Sequence, residues 1–146
     1  LSPATGGAEV DEALQTAVPG VFSCGNVLHV HDLVDFVSEE AARAGRNAAR
    51  YAAGDRRARG GVPVEAGFGV SGVVPQFVGE SPGEPVRLMF RPRGVYKGAR
   101  VVVERGGQEI FSRKEKILVP GEMASVTLAP ERLSGESAPL LVRVEV

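Results

Sequence analysis

Cysteine is nearly absent: Cys24 stands alone in 146 residues. That excludes an intrachain disulfide and any zinc or iron-sulfur site built from several cysteines, and it makes a reducing, cytoplasmic setting the default expectation. No apolar run is long enough to cross a bilayer, and the N-terminus lacks a basic segment followed by an apolar one, so no membrane partner is expected. A surplus of one charge is missing too. Lys and Arg number 17 against 18 Asp and Glu, a formal net charge of −1, so no overall field draws in nucleic acid, and none is expected as a partner. There is no initiator Met either. The chain opens on Leu1 in a segment that reads as the middle of something, and a piece of a longer protein is expected.

A hydrophobic content of 43% suffices for a core, in one domain or two small ones. The chain is organised around Thr16 to Tyr51. Pro19-Gly20 precedes Val21-Phe-Ser-Cys24, which is expected to be a short buried strand, and Gly25-Asn26 falls where the chain must turn. From Phe36 onward the period becomes helical: Phe36, Val37, Glu40, Ala41, Ala44, Ala48, Ala49 and Ala52 share offsets beside Glu39, Arg43, Arg46 and Arg50. Asp32 or Asp35 can cap that helix, Gly54 can end it, and Glu39 to Arg43 is an acid-before-base pair at i,i+4. Gly6-Gly7 marks an earlier tight turn.

Asp55 to Gly61 is charged and ends in glycine, so a linker is expected there. Beyond it the pattern alternates. Val70–Val78, Pro85–Arg91, Ala99–Arg105, Gln108–Leu118, Met123–Ala129 and Pro139–Val146 are strand candidates separated by turn signals, with no helix between them. Gly106-Gly107 allows a primed two-residue turn joining Ala99–Arg105 to Gln108–Arg113. That turn sets Glu104 opposite Glu109, Val103 opposite Ile110 and Val102 opposite Phe111.

The run Thr16-Ala-Val-Pro-Gly-Val-Phe-Ser-Cys-Gly-Asn26 resembles the second flavin-binding motif of the two-dinucleotide-domain flavoprotein oxidoreductases, the thioredoxin-reductase-like and glutathione-reductase-like enzymes of the pyridine-nucleotide-disulfide-oxidoreductase superfamily. Thr16, Pro19, Gly20, Val21, Phe22, Gly25 and the helix carrying Ala44-Gly45 and Ala48-Ala49 match it. Gly25 through Glu40 is similar to a bacterial branch of NAD(P)/FAD-dependent oxidoreductases associated with glycerol-3-phosphate-dehydrogenase-like flavoproteins. That branch carries a β-rich C-terminal extension. Val74-Pro-Gln76 and Val119-Pro-Gly-Glu-Met123 look similar to it.

The resemblance implies an α+β chain: the C-terminal piece of an FAD-binding α/β domain over 1–55, a linker over 56–66, and a small antiparallel β-sandwich or barrel-like domain over 67–146. It further implies that Leu1 follows the nicotinamide-binding domain of a parent enzyme passing hydride between NAD(P)H, FAD and an acceptor. Gly25 and Asn26 would meet the ribityl chain, while Val37, Ser38 and Glu39 would approach the flavin ring from the helix N-terminus. Asn26 replaces the usual Asp; an amide still donates and accepts. Both Gly-x-Gly-x-x-Gly loops and any Cys-x-x-Cys pair are missing. The chain by itself is therefore expected to be inactive and free of FAD, and its partners are expected to be the remainder of the flavoprotein and a second flavoprotein subunit.

Three features have blander readings. His29 and His31, with Asp32 beside them, could hold a metal or tune a flavin, but with no third ligand evident they are read as lining the loop before the helix, and no metal site is expected. Cys24 is read as an inert core residue. Arg56, Arg57 and Arg59 are read as solvated linker rather than a phosphate site. The rival to the flavoprotein reading treats residues 62–146 as an interaction module tethered by the N-terminal part, with Leu141–Val146 as an exposed edge strand that pairs with another chain.

Overall fold

The computed structural model describes residues 1–146 and shows a mixed α+β chain made mostly of sheet. Its one α-helix, α1 (Val34–Ala52), is rich in alanine and free of proline. Ala53 closes the helix and Gly54, at φ +114°, turns the chain out of it. Neither expected cap forms. The N-cap residue is Leu33, in extended conformation with no side-chain hydrogen bond, because Asp32 is engaged elsewhere and Asp35 lies inside the first turn. The Glu39–Arg43 pair is absent as well: Glu39 reaches Arg87 (3.3 Å) and Arg43 donates to the Glu12 carbonyl (2.7 Å).

Eight strands follow: β1 (Val62–Ala66), β2 (Val70–Val74), β3 (Phe77–Val78), β4 (Val86–Pro92), β5 (Tyr96–Arg105), β6 (Gln108–Leu118), β7 (Ala124–Leu128) and β8 (Leu140–Glu145). They form a five-stranded sheet in the order β3-β1-β8-β5-β6 and a three-stranded sheet in the order β2-β4-β7. Alternation drives the packing. In β4 and β8 every second residue is buried, and Leu88, Phe90, Val101, Val103, Val126, Leu128, Leu140 and Val142 from the two sheets share one core.

The sheets differ from expectation in four places. β1 runs through the second half of the expected linker 56–66, because Val62 and Val64 are buried against the sheet core. β1 pairs with β8 in parallel, Val64 opposite Leu140, so the β unit is not purely antiparallel. The candidate Val70–Val78 divides into β2 and β3 around Pro75, which has no amide hydrogen for a ladder. β8 lies inside the larger sheet, between β1 and β5, so Leu141–Val146 is not a free edge; the free edge on that side is β6, which carries Arg113, Lys114, Glu115 and Lys116. The hairpin turn forms at Gly106-Gly107 with Glu104 opposite Glu109. Beyond that pair a bulge takes up Ile110, so Val103 faces Phe111 and Val102 faces Ser112.

The N-terminal part is bound into the β unit. Val10, Leu14, Leu28 and Ala44 bury a second small core against Val74 of β2. The Val10 amide donates to Gln76 Oε1 (2.9 Å) and its carbonyl accepts from the amides of Gln76 (3.0 Å) and Phe77 (3.2 Å). Asp11 accepts from the Gly60 amide and Glu12 from that of Gly79. The expected buried strand Val21–Cys24 does not form: Phe22 makes a single antiparallel bridge to Gln15, flanked by the bonds Thr16 N–H to the Val21 carbonyl and Ser23 N–H to the Leu14 carbonyl, and Val21 is 47% exposed.

Candidate functional site

The turn after Cys24 is a short 3-10 segment, Gly25–Val27. Gly25 has φ +72°, a conformation that glycine reaches without a Cβ penalty. Its carbonyl accepts from the amides of Leu28 (2.9 Å) and His29 (3.2 Å). Asn26 Oδ1 accepts from the His31 amide (3.2 Å), which closes the loop and leaves the Asn26 NH2 free in an exposed position. The Gly6-Gly7 turn braces the loop: a Cβ on Gly7 would lie 2.0 Å from the Leu28 carbonyl oxygen, so only glycine fits.

A carboxylate holds the loop from beneath. Glu40, on the inward face of α1, is 6% exposed. Its Oε1 accepts from the Gly25 amide (2.7 Å) and contacts His31 Nε2 (2.9 Å), while Oε2 contacts His29 Nε2 (2.8 Å). Burial alone would push the Glu40 carboxyl up. The hydrogen bonds from His29 and His31 and from the Gly25 amide outweigh it and hold the group below the ordinary glutamate range. An ionised carboxylate only accepts, so each Nε2 carries the hydrogen. The Nδ1 atoms of both histidines are buried and have no partner, and the rings lie 4.3 Å apart, edge to face.

Asp32 ties the far end of the loop to the β unit rather than to the helix. Its Oδ2 accepts from the Met123 amide (2.6 Å) and its Oδ1 pairs with Arg91 (2.6 Å), whose guanidinium also donates to the Val30 carbonyl (3.0 Å). Partial burial raises the Asp32 carboxyl, but the Met123 amide and Arg91 prevail and hold it below the usual aspartate value. Between these ties the loop is apolar and open: Val27, Val30, Leu33 and Val34 are 75, 63, 57 and 74% exposed. The first amides of α1 begin in this stretch with no side-chain cap.

Of the residues expected at a flavin, the structure brings Gly25, Asn26 and Val37 together, with Val37 Cγ1 3.6 Å from where a Gly25 Cβ would sit. Ser38 is exposed, and Glu39 faces the seam between α1 and β4, where it meets Arg87. Glu40 escaped the sequence reading as a ligand, although its signal was present: it sits among Phe36 and Ala44 on the apolar row of the helix, where a charge has to find a partner. Cys24 packs against the small core of Val10, Leu14 and Leu28. Arg56, Arg57 and Arg59 diverge, to the Tyr51 ring, Asp55 and the Phe77 ring.

A cleft of about 680 Å³ lies along the other half of α1 beside Arg43, Arg50 and Tyr51 and does not reach Gly25 or Asn26. Its arginines, Arg43, Arg46, Arg50 and Arg57, are matched by Asp11, Glu12, Asp55 and Glu84 in the same lining. No helix of the chain is long and apolar enough to cross a membrane. No family model, curated protein or solved structure matches the chain.

Proposed function

We propose that this chain forms one wall of the flavin site of an FAD-dependent, NAD(P)-linked oxidoreductase, the other walls coming from the remainder of that flavoprotein. The observation that carries the reading is the open start of α1: uncapped amides, an ordered Gly25-Asn26 turn beside them, and four exposed apolar side chains in the same nine-residue stretch, Asn26–Val34. A helix N-terminus favours electron-rich groups such as the reduced flavin pyrimidine ring. The free Asn26 amide suits a sugar hydroxyl, and Val27, Val30, Leu33 and Val34 suit the ring and the protein around it.

When bound, FAD supplies the hydride chemistry between NAD(P)H and the acceptor. The chain's own residues bind and orient: Glu40 fixes the Gly25 backbone, Asn26 and the helix amides face the cofactor, and the apolar rim keeps water from it. Isolating the native polypeptide or complex that contains these residues tests the proposal. Flavin absorbance that NAD(P)H bleaches is expected there, and the isolated chain is expected to be colourless. A native preparation without flavin refutes the assignment.

A further inference from the structure

We propose that His29, His31 and Glu40 form a binding site for a divalent transition-metal ion of the zinc class. The proposal stands on this cluster alone and is independent of the flavin reading. The histidines come from the extended end of the Gly25–His31 loop, and the glutamate from the second turn of α1. One ligand atom from each lies within 4.8 Å of the others, and all three residues are more than nine-tenths buried, at 4, 9 and 6% exposure.

The donor set is specific. Two imidazole nitrogens and one carboxylate suit zinc and its neighbours, whereas magnesium and calcium take oxygen ligands almost exclusively. Three protein ligands leave one position of a tetrahedral ion for water or a substrate, the arrangement of reactive rather than purely structural zinc centres. The geometry is close to what an ion requires. His29 Nε2 lies 2.8 Å from Glu40 Oε2 and His31 Nε2 2.9 Å from Oε1; ligands around a tetrahedral ion with bonds near 2.0–2.1 Å stand roughly 3.3 Å apart, so an ion seated between the rings and both carboxylate oxygens opens each contact by about 0.5 Å.

One further observation fits. The Gly25 amide bonds Glu40 Oε1 at 2.7 Å, the kind of outer contact that orients a ligating carboxylate. Each imidazole meets the cluster through Nε2 only; both Nδ1 atoms are buried without a partner, so once an ion is bound each Nδ1–H requires a water as its acceptor. Each ring is thus committed to the cluster through Nε2, the nitrogen that would face the ion. On binding, each Nε2 lone pair goes to the metal and its hydrogen moves to Nδ1. Glu40 stays ionised throughout, and a dication adds two positive charges to the cluster. The buried carboxylate thereby gains a cation as its direct partner.

The test uses the full chain, stripped with chelator and then dialysed against Zn2+ or Co2+. One tightly held ion per chain is expected, with the visible absorption of tetrahedral cobalt in the Co2+ form. The double variant His29→Gln/His31→Gln is expected to lose affinity roughly tenfold or more. X-ray absorption of the zinc-loaded unmodified chain, which does not depend on how the variant folds, is expected to show two imidazoles on the metal. Zinc retention no greater than that of the folded double variant, or fewer than two imidazoles in the spectrum, means that the cluster only braces the loop.

Discussion

Glu40 carries three donors on one buried carboxylate, and its removal is the most informative single change in the chain. In Glu40→Gln one carboxylate oxygen becomes an NH2 that confronts a histidine Nε2–H, and a buried donor loses its acceptor. We expect a loss of about 1–3 kcal/mol, read as a lowered urea midpoint at unchanged slope. Glu12 behaves oppositely to Glu40. Burial leads the balance there and raises its carboxyl above the ordinary 4.5, despite hydrogen bonds from backbone amides and the nearby Arg43. A raised carboxylate means that the folded chain binds the proton more tightly, so this group's contribution to stability falls as pH rises from 4.5 through the higher folded value. Glu12→Gln should flatten the pH dependence of the urea midpoint in that window, and an unchanged slope would count against it. At this scale the sequence was half legible. Gly25 and Asn26 could be read from their neighbours, but the meeting of His29, His31 and Glu40 depends on a helix returning beneath a loop, which no local spacing encodes.

The vacant cap of α1 can be filled without disturbing the core, since Leu33 is 57% exposed. Leu33→Asp should stabilise the isolated chain by about 1 kcal/mol, measured by thermal or urea unfolding. Under the proposed function, the same change is expected to weaken flavin retention in the native complex, because the new carboxylate would occupy the amides proposed to face the cofactor. The hairpin of β5 and β6 depends on its turn. Gly107 has φ +80° with open space around it, so Gly107→Val costs backbone strain alone, about 1–2 kcal/mol. Elements whose determinants lie close together in sequence were readable: the alanine-rich helix, Gly54 as its stop, and the Gly-Gly turn. The bulge at Ile110 was not, because a two-residue turn alone predicts an unbroken register, whereas Ile110 and Phe111 both pack against the core of the two sheets. The cap at Asp32 failed for a similar reason, its carboxylate being drawn to Met123 and Arg91 some ninety and sixty residues away.

For the molecule as a whole, the small core of Val10, Leu14, Leu28, Ala44 and Val74 joins the helix to the sheets. Leu28 is fully buried there, and Leu28→Ala should cost about 2–5 kcal/mol. Because that core is shared with Val74 of β2, hydrogen exchange should show the amides of α1 and of the three-stranded sheet losing protection together; loss confined to α1 would mean two independent units. Alternation made the strands visible in sequence, yet not their order. The parallel pairing of β1 with β8 joins segments more than seventy residues apart and sets Val64 opposite Leu140, while Val62 pairs with Val78 of the nearer β3. The position of β8 also sets a timetable. It is third of five across the sheet and follows the other four in sequence, so during synthesis β1 and the β5–β6 hairpin wait unjoined, with Val64, Val101 and Val103 bare, until β8 has emerged. Chaperones have their longest opportunity to engage the nascent chain in that interval, and a stop codon placed before Leu140 would leave them holding two half-sheets with nothing to connect them.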